Sequence, residues 1–201
     1  RHSGAMPDLD TTTTPDRLDR ILTFLQAAQG LKDTARSART AAGQPESVAE
    51  HSWSLCLLVL LMERDLPPLD LAKLLKLCVI HDLGEVISGD IPAIHQVPGT
   101  DKAAAERADF VTLIAPLPDD LRAEFLALWD EYEAARSAEA QAAKGLDKIE
   151  TMLQHVSGQQ EPGFDYLWNL GYGRDRTDAL PVLRALRDKV DVLTRAADAS
   201  R

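Results

Sequence analysis

Between residues 71 and 92 an apolar helical stripe runs directly into a cluster of ionisable groups. Leu71, Leu74, Leu75 and Cys78 recur at three- and four-residue spacing, the period of a helix with one buried face. The stripe leads into Val79-Ile80-His81-Asp82-Leu83-Gly84-Glu85-Val86-Ile87, and Asp90 follows beyond Gly89. A fold that buries the stripe therefore carries His81 and Asp82 into or beside its core. Burying such groups is costly unless something compensates them, and a bound cation is a usual compensation. A His-Asp pair at a polar helix end is common by itself, so the rest of the chain has to decide its meaning.

The rest of the chain is patterned for helices as well. Leu and Ala dominate while aromatic residues make up 5%, a balance that favours helix over strand. Helices are predicted over about 16–29, 47–62, 67–82, 101–114, 119–135, 137–156 and 178–197, separated by Gly and Pro signals. The first should bury Leu18, Ile21, Leu22 and Leu25, and the last Leu183, Leu186, Val190 and Leu193, a seam that closes the core or meets a second subunit. Residues 31–46 read as a loop and residues 157–176 as an irregular, packed segment with Phe164, Tyr166, Trp168 and Tyr172. No strand is required, so the expectation is an all-α fold, a single helical bundle. The length of 201 residues suits one domain with a real core.

Arg1 to Met6 reads as a tag remnant ahead of a native methionine, and residues 1–16 together as a mobile N-terminus before a domain over 17–201. The net charge of −10 and the lack of a basic block speak against nucleic acid as a partner. No apolar run is long enough to span a bilayer, so no membrane partner is expected. Cys56 and Cys78 sit in apolar helical runs and read as core residues of a reducing, cytoplasmic setting.

Three helices each carry a polar residue on an inward face. Ser47-Val48-Ala49-Glu50 is a capping box, which starts a helix with His51 in its first turn, on the face of Leu55, Leu58 and Met62. His81 and Asp82 end the next buried stripe. Asp147 lies on one face with Lys144 and Thr151, where the simplest alternative is an ordinary salt bridge to Lys144. Two imidazoles and two carboxylates, His51, His81, Asp82 and Asp147, make a mixed nitrogen and oxygen set. Such a set suits one divalent ion such as Mn, Co, Fe, Ni or Zn, with Mg a poorer match.

The order His51, His81-Asp82, Asp147 resembles the HD-domain metal phosphohydrolases. Longer stretches, Pro45-Glu46-Ser47-Val48-Ala49-Glu50-His51, His81-Asp82-Leu83-Gly84-Glu85 with Gly89-Asp90-Ile91-Pro92, and Leu146-Asp147-Lys148, are similar to the 5′-deoxynucleotidase branch, as are Leu117–Arg122 and Leu128–Glu133. The resemblance implies an HD-domain bundle, a frequent homodimer, and removal of the 5′-phosphate from (deoxy)nucleoside monophosphates by a water that the metal activates. It also implies catalytic roles for Glu85 and Asp90 and a substrate contact for Arg36. In that branch an aromatic residue often follows this arginine, whereas here Ser37 does.

Phosphate monoesters hydrolyse extremely slowly unaided, so such a site has to activate water, neutralise phosphate charge and protonate the leaving oxygen. Arg36, Lys144 and Lys102 are candidates for the phosphate, and Glu85 and Asp90 for the proton work in either order. Neither cysteine has an activating neighbour, and no P-loop is present. His95 and His155 receive no role. Two other readings stay open: an HD hydrolase of triphosphates or a modified nucleotide, and a nucleotide-binding protein without turnover.

Overall fold

The computed structural model describes residues 14–91 and 102–200, apart from the side chain of Lys102. Helix α1 spans Pro15–Ala28 and passes through a 3₁₀ turn, Gln29–Lys32, into two short strands, β1 (Ala35–Arg39) and β2 (Pro45–Ser47). Then come α2 (Val48–Met62), α3 (Leu71–Ile80), the single turn α4 (Glu85–Ser88), α5 (Lys102–Ile114), α6 (Asp119–Ala134) and α7 (Ala138–Ser157). A second 3₁₀ turn, Leu167–Leu170, the short α8 (Arg174–Thr177) and α9 (Pro181–Ala199) complete the order.

Helix α7 is the axis of the fold. It packs against α2, α3, α6, α8 and α9 and against β1. Buried residues occur all round it, from Ala140, Leu146, Ile149 and Met152 to Asp147, Glu150, Thr151 and His155. A helix with neighbours on every side has no solvent face, so its polar side chains must find partners inside. At Gly145 the approach of α9 is so close that a Cβ would lie 2.4 Å from Leu183 Cδ1 and 3.1 Å from the Arg176 carbonyl oxygen. On α9, Leu183 and Val190 close the core.

The strand pair corrects the expectation of a loop at 31–46. Ala35 pairs with Ser47 and Arg39 with Pro45, antiparallel, with an irregularity between them. The reversal is held by Thr40 N–H donating to the Gln44 carbonyl at 2.8 Å, and Gly43 takes φ of +77°. Ala-Arg-Ser-Ala-Arg lacks the branched residues that announce a strand. The alternation is nevertheless there, with Arg36 and Ala38 turned inward while Ala35 and Ser37 face out.

Other expectations shift in detail. Helix α3 starts at Leu71, where the Asp70 side chain accepts from Lys73 N, rather than at Pro67. Helix α1 buries Phe24, which meets Phe125 edge-on at 5.7 Å, while Leu18, Leu22 and Leu25 stay exposed. Arg17 paired to Asp120 and Arg20 bonded to the Pro116 and Leu117 carbonyls set that orientation. Among the described residues no helix is long and apolar enough to cross a membrane.

Candidate active site

His51 is placed by the start of α2. Ser47 accepts from Glu50 N while the Glu50 carboxylate accepts from Ser47 N, a reciprocal cap worth about 1 kcal/mol that fixes where the helix begins. His81 follows the last turn of α3, its N–H still bonded to the Leu77 carbonyl at 3.1 Å. Asp147 lies in the middle of α7. These three residues offer donor atoms within 4.8 Å of one another and form a buried cluster able to hold a metal ion.

Asp82 reaches the same point. His81 Nε2 stands 3.0 Å from Asp82 Oδ2, and His51 Nε2 stands 3.2 Å from Asp147 Oδ1. The cross distances are 3.8 Å for His51 Nε2 to Asp82 Oδ2 and 4.0 Å for His81 Nε2 to Asp147 Oδ1. Donors around one ion at about 2.1 Å stand about 3.0 Å apart when adjacent and about 4.2 Å apart when opposite, so the four separations suit a shared centre.

The imidazoles are oriented for that purpose. His81 Nδ1 donates to the Cys78 carbonyl at 2.9 Å, and His51 Nδ1 is bonded to the Glu150 carboxylate. A carbonyl only accepts, so the proton of neutral His81 sits on Nδ1 and the Nε2 lone pair faces the cluster. Both Nε2 atoms are buried without a hydrogen-bond partner, the state of a nitrogen that waits for a cation. Burial and Arg36 lower the pKa of His51, but Asp147 and Glu150 outweigh them and lift it to about 9. Against the cost of burial, His81 holds Asp82 below the usual carboxylate range, and Lys148 and His51 do the same for Asp147.

One cavity of about 640 Å³ opens onto this cluster, and Arg36, Ser37, Glu85, Asp90, Lys144 and Lys148 line it together with His81, Asp82 and Asp147. Arg36 comes from β1. Its Nη2 donates to Thr151 Oγ1 at 3.1 Å, its Nε is 3.7 Å from Glu46 Oε2, and its Nη1 is buried with no partner. Burial opposes its charge, but Asp82, Asp147, Glu46 and Glu150 keep it cationic. Glu85 opens α4, which Gly84 seats against α5; a Cβ at that glycine would meet the Glu106 carbonyl oxygen at 3.1 Å. Burial, with the charges of Asp82 and Asp90, raises the Glu85 pKa to about 9.

Four of the predicted site residues therefore converge on one point, and Glu85, Asp90, Arg36 and Lys144 stand around it. Lys144 is paired to Glu133 at 2.8 Å and lies over the Tyr132 ring, so the alternative Lys144–Asp147 bridge does not form. The Lys102 side chain and His95 lie outside the described residues. Sequence reasoning missed several groups. Tyr132 donates its hydroxyl to Asp147 Oδ2 at 3.1 Å. Lys148 Nζ is 3.0 Å from the same oxygen. Glu46 and Glu150 are buried beside the cluster, and His155 lines the cavity. Lys148 was visible within Leu146-Asp147-Lys148, whereas Glu46 and Glu150 had only their places beside a ligand-bearing stretch.

The family model described as HD domain matches residues 28–180, more than half of the chain. The chain belongs to the HD-domain family. Among curated relatives, the human 5′-deoxynucleotidase HDDC2 is 33% identical over 136 residues, which cover 67% of this chain and 66% of the relative. The fission yeast 5′-deoxynucleotidase hdd1 (Schizosaccharomyces pombe) is 34% identical over 140 residues, 67% of this chain and 70% of that one. The HD-domain chain thus spans about two thirds of the length of the curated relatives it matches. Among solved structures, a predicted metal-dependent phosphohydrolase of Magnetospirillum magnetotacticum MS-1 superimposes with a TM-score of 0.72 at 27% identity, over 92% of this chain and 96% of the other.

Proposed function

We propose that this HD-domain protein is a 5′-deoxynucleotidase, a metal-dependent phosphohydrolase that removes the 5′-phosphate from deoxynucleoside monophosphates. The observation that carries the reading is the pair of unpartnered histidine nitrogens converging with two carboxylates, beside an arginine with an unpartnered nitrogen, in one cavity. The relatives that share its sequence carry that activity in their names.

His51 and His81, through Nε2, with Asp82 and Asp147, are the residues that would hold the divalent ion. A bound ion of this kind supplies Lewis-acid charge at the phosphoryl group and lowers the pKa of water. The chain's own residues do the rest. Glu150 and the Cys78 carbonyl hold the two rings in the liganding tautomer. Arg36 Nη1 takes a phosphate oxygen, and Lys148, beside Asp147, adds positive charge on the other side. Glu85, protonated at neutral pH, gives its proton to the departing 5′ oxygen as the bond to phosphorus breaks. Asp90 is left to orient the attacking water and take its proton. The products are a nucleoside and inorganic phosphate.

Helix α2 exposes Trp53 at 68% of its surface, with Leu57, Leu60 and Leu61 along the same side, an apolar stripe suited to a second copy in a homodimer. The free thiols of Cys56 and Cys78 fit a reducing, cytoplasmic setting. The decisive experiment is a panel of deoxy- and ribonucleotides with each divalent metal, with the released product identified. Inorganic phosphate from monophosphates supports the reading, and pyrophosphate or triphosphate release replaces it. His81→Ala and Asp147→Ala should lose bound metal and turnover together; a fully active, metal-free Asp147→Ala protein refutes the ligand set.

A further inference from the structure

The proposed chemistry uses the charged lining of the cavity and leaves its aromatic lining without a task. Five aromatic side chains other than histidine line the cavity among the described residues. Trp129 and Tyr132 are almost wholly buried in the core. The ring surface that a ligand can reach therefore comes from the segment after α7, with Phe164, Trp168 and Tyr172. On β1 the residue after Arg36 is Ser37, which also lines the cavity and offers no ring.

These rings are joined to the ion cluster. Lys148 Nζ, 3.0 Å from Asp147 Oδ2, lies over the Tyr172 ring at 5.4 Å. Tyr172 in turn stacks on Trp168 with centroids 4.9 Å apart and planes 28° apart. The series leads from the ion cluster to Trp168, which lines the cavity and keeps 36% of its surface exposed. Its backbone is held from behind, because the guanidinium of Arg187 donates to the carbonyls of Asn169, Leu170 and Tyr172. A large ring on a clamped backbone costs little further ordering when a flat ligand stacks on it.

We propose that Trp168, with Phe164, is the nucleobase platform of this site and takes the place of an aromatic residue next to Arg36. Recognition through the ring face tolerates any base and favours the larger purines over pyrimidines. The inference rests on the nucleotidase reading for its substrate class but assigns a residue that reading does not need.

The test uses the full-length, metal-loaded protein with dAMP, dCMP and the base-free 2-deoxyribose 5-phosphate. Trp168→Ala should raise KM for dAMP about tenfold, and for dCMP less, with kcat within about twofold. Kinetics with 2-deoxyribose 5-phosphate should not change, and Trp168→Phe should restore most of the loss. An unchanged KM for dAMP, or an equal loss on the base-free substrate, overturns the platform. If the wild-type protein hydrolyses none of these, the nucleotidase reading falls alone and quenching of tryptophan fluorescence by deoxyadenosine decides the platform. Quenching in the wild type that vanishes in Trp168→Phe supports it, and equal quenching in both, or none in either, overturns it.

Discussion

Two arginines, the fully buried Arg187 and the partly buried Arg36 of the cavity wall, show how differently this fold treats a charge. Arg187 on α9 has none of its surface exposed, and each of its nitrogens is engaged. Its partners are Asp191, Thr177 and the carbonyls of Tyr172, Asn169 and Leu170, at 2.6 to 3.3 Å. Among the described residues, Arg36 on β1 has one hydrogen bond, to Thr151, a carboxylate at 3.7 Å, and an Nη1 with no partner. A buried cation that is fully satisfied rigidifies the structure around it, whereas one held with a donor to spare is set up for an anion that arrives later. The contrast in hydrogen bonding separates scaffold from site.

Substitutions can break that comparison. Arg187→Met should be the most disruptive, because it leaves the buried Asp191 with Arg174 as its one remaining cation and takes the donor from the Asn169 and Tyr172 carbonyls; a loss of about 3–5 kcal/mol, or roughly 10 °C in Tm, is expected by thermal or urea unfolding. A well-folded Arg187→Met protein of unchanged stability would end the scaffold assignment. Arg36→Met should show the opposite split. Turnover falls about 10²- to 10³-fold, as for loss of one charge-stabilising donor, while stability moves by no more than about 1 kcal/mol. Stability is spared because burial and Glu150 already lift Glu46 to about 7, so it can take a proton once Arg36 is gone. A stability loss as large as that of Arg187→Met would sink the distinction.

Glu85 sharpens the same comparison from the acidic side. A carboxyl whose folded pKa is raised loses stability as pH climbs from its unfolded value towards the folded one, here from about 4.5 to about 9. Glu85→Gln lacks that loss. In metal-free protein it should be more stable than wild type by ~1–3 kcal/mol at pH 8 and no more stable at pH 4, measured by urea melts, while turnover drops ~100-fold. A stability gain that is the same at both pH values would mean that Glu85 is not held protonated. The smallest effect is expected at Thr151→Val, which removes the one hydrogen bond to Arg36. The loss in kcat/KM should be about 1 kcal/mol, several-fold, with bound metal unchanged.

Much of the site could be read along the chain, and the part that could not has a physical cause. His51 was legible because a capping box dates the start of its helix to one residue, and the helical period then sets its direction. His81 and Asp82 were legible because the stripe before them has to be buried. Glu46, Glu150, Tyr132 and Lys148 carry no periodic signal of their own; each matters through a partner on another element. The strand that brings Arg36 to the cavity was missed because Ala and Ser give almost no strand propensity, and pairing with Pro45–Ser47, not the local sequence, makes it extended. On α1 the apolar pattern pointed to the wrong face, since Arg17 and Arg20, tied to the α5–α6 corner, turn Phe24 inward in place of Leu22.

Sequence alone determined the helical class and the types and order of the residues that gather at the cluster, with the acids beside them. These depend on spacing within single segments, where period and capping act over one or two turns. Tertiary structure alone decided that His51, His81 and Asp147 meet in one buried cluster able to hold an ion, with Asp82 against both imidazoles. It also left one nitrogen of Arg36 unsatisfied among the described residues and brought the aromatic side chains after α7 to the same cavity. Those outcomes depend on how α7 is enclosed on all sides, and enclosure belongs to no single stretch of residues.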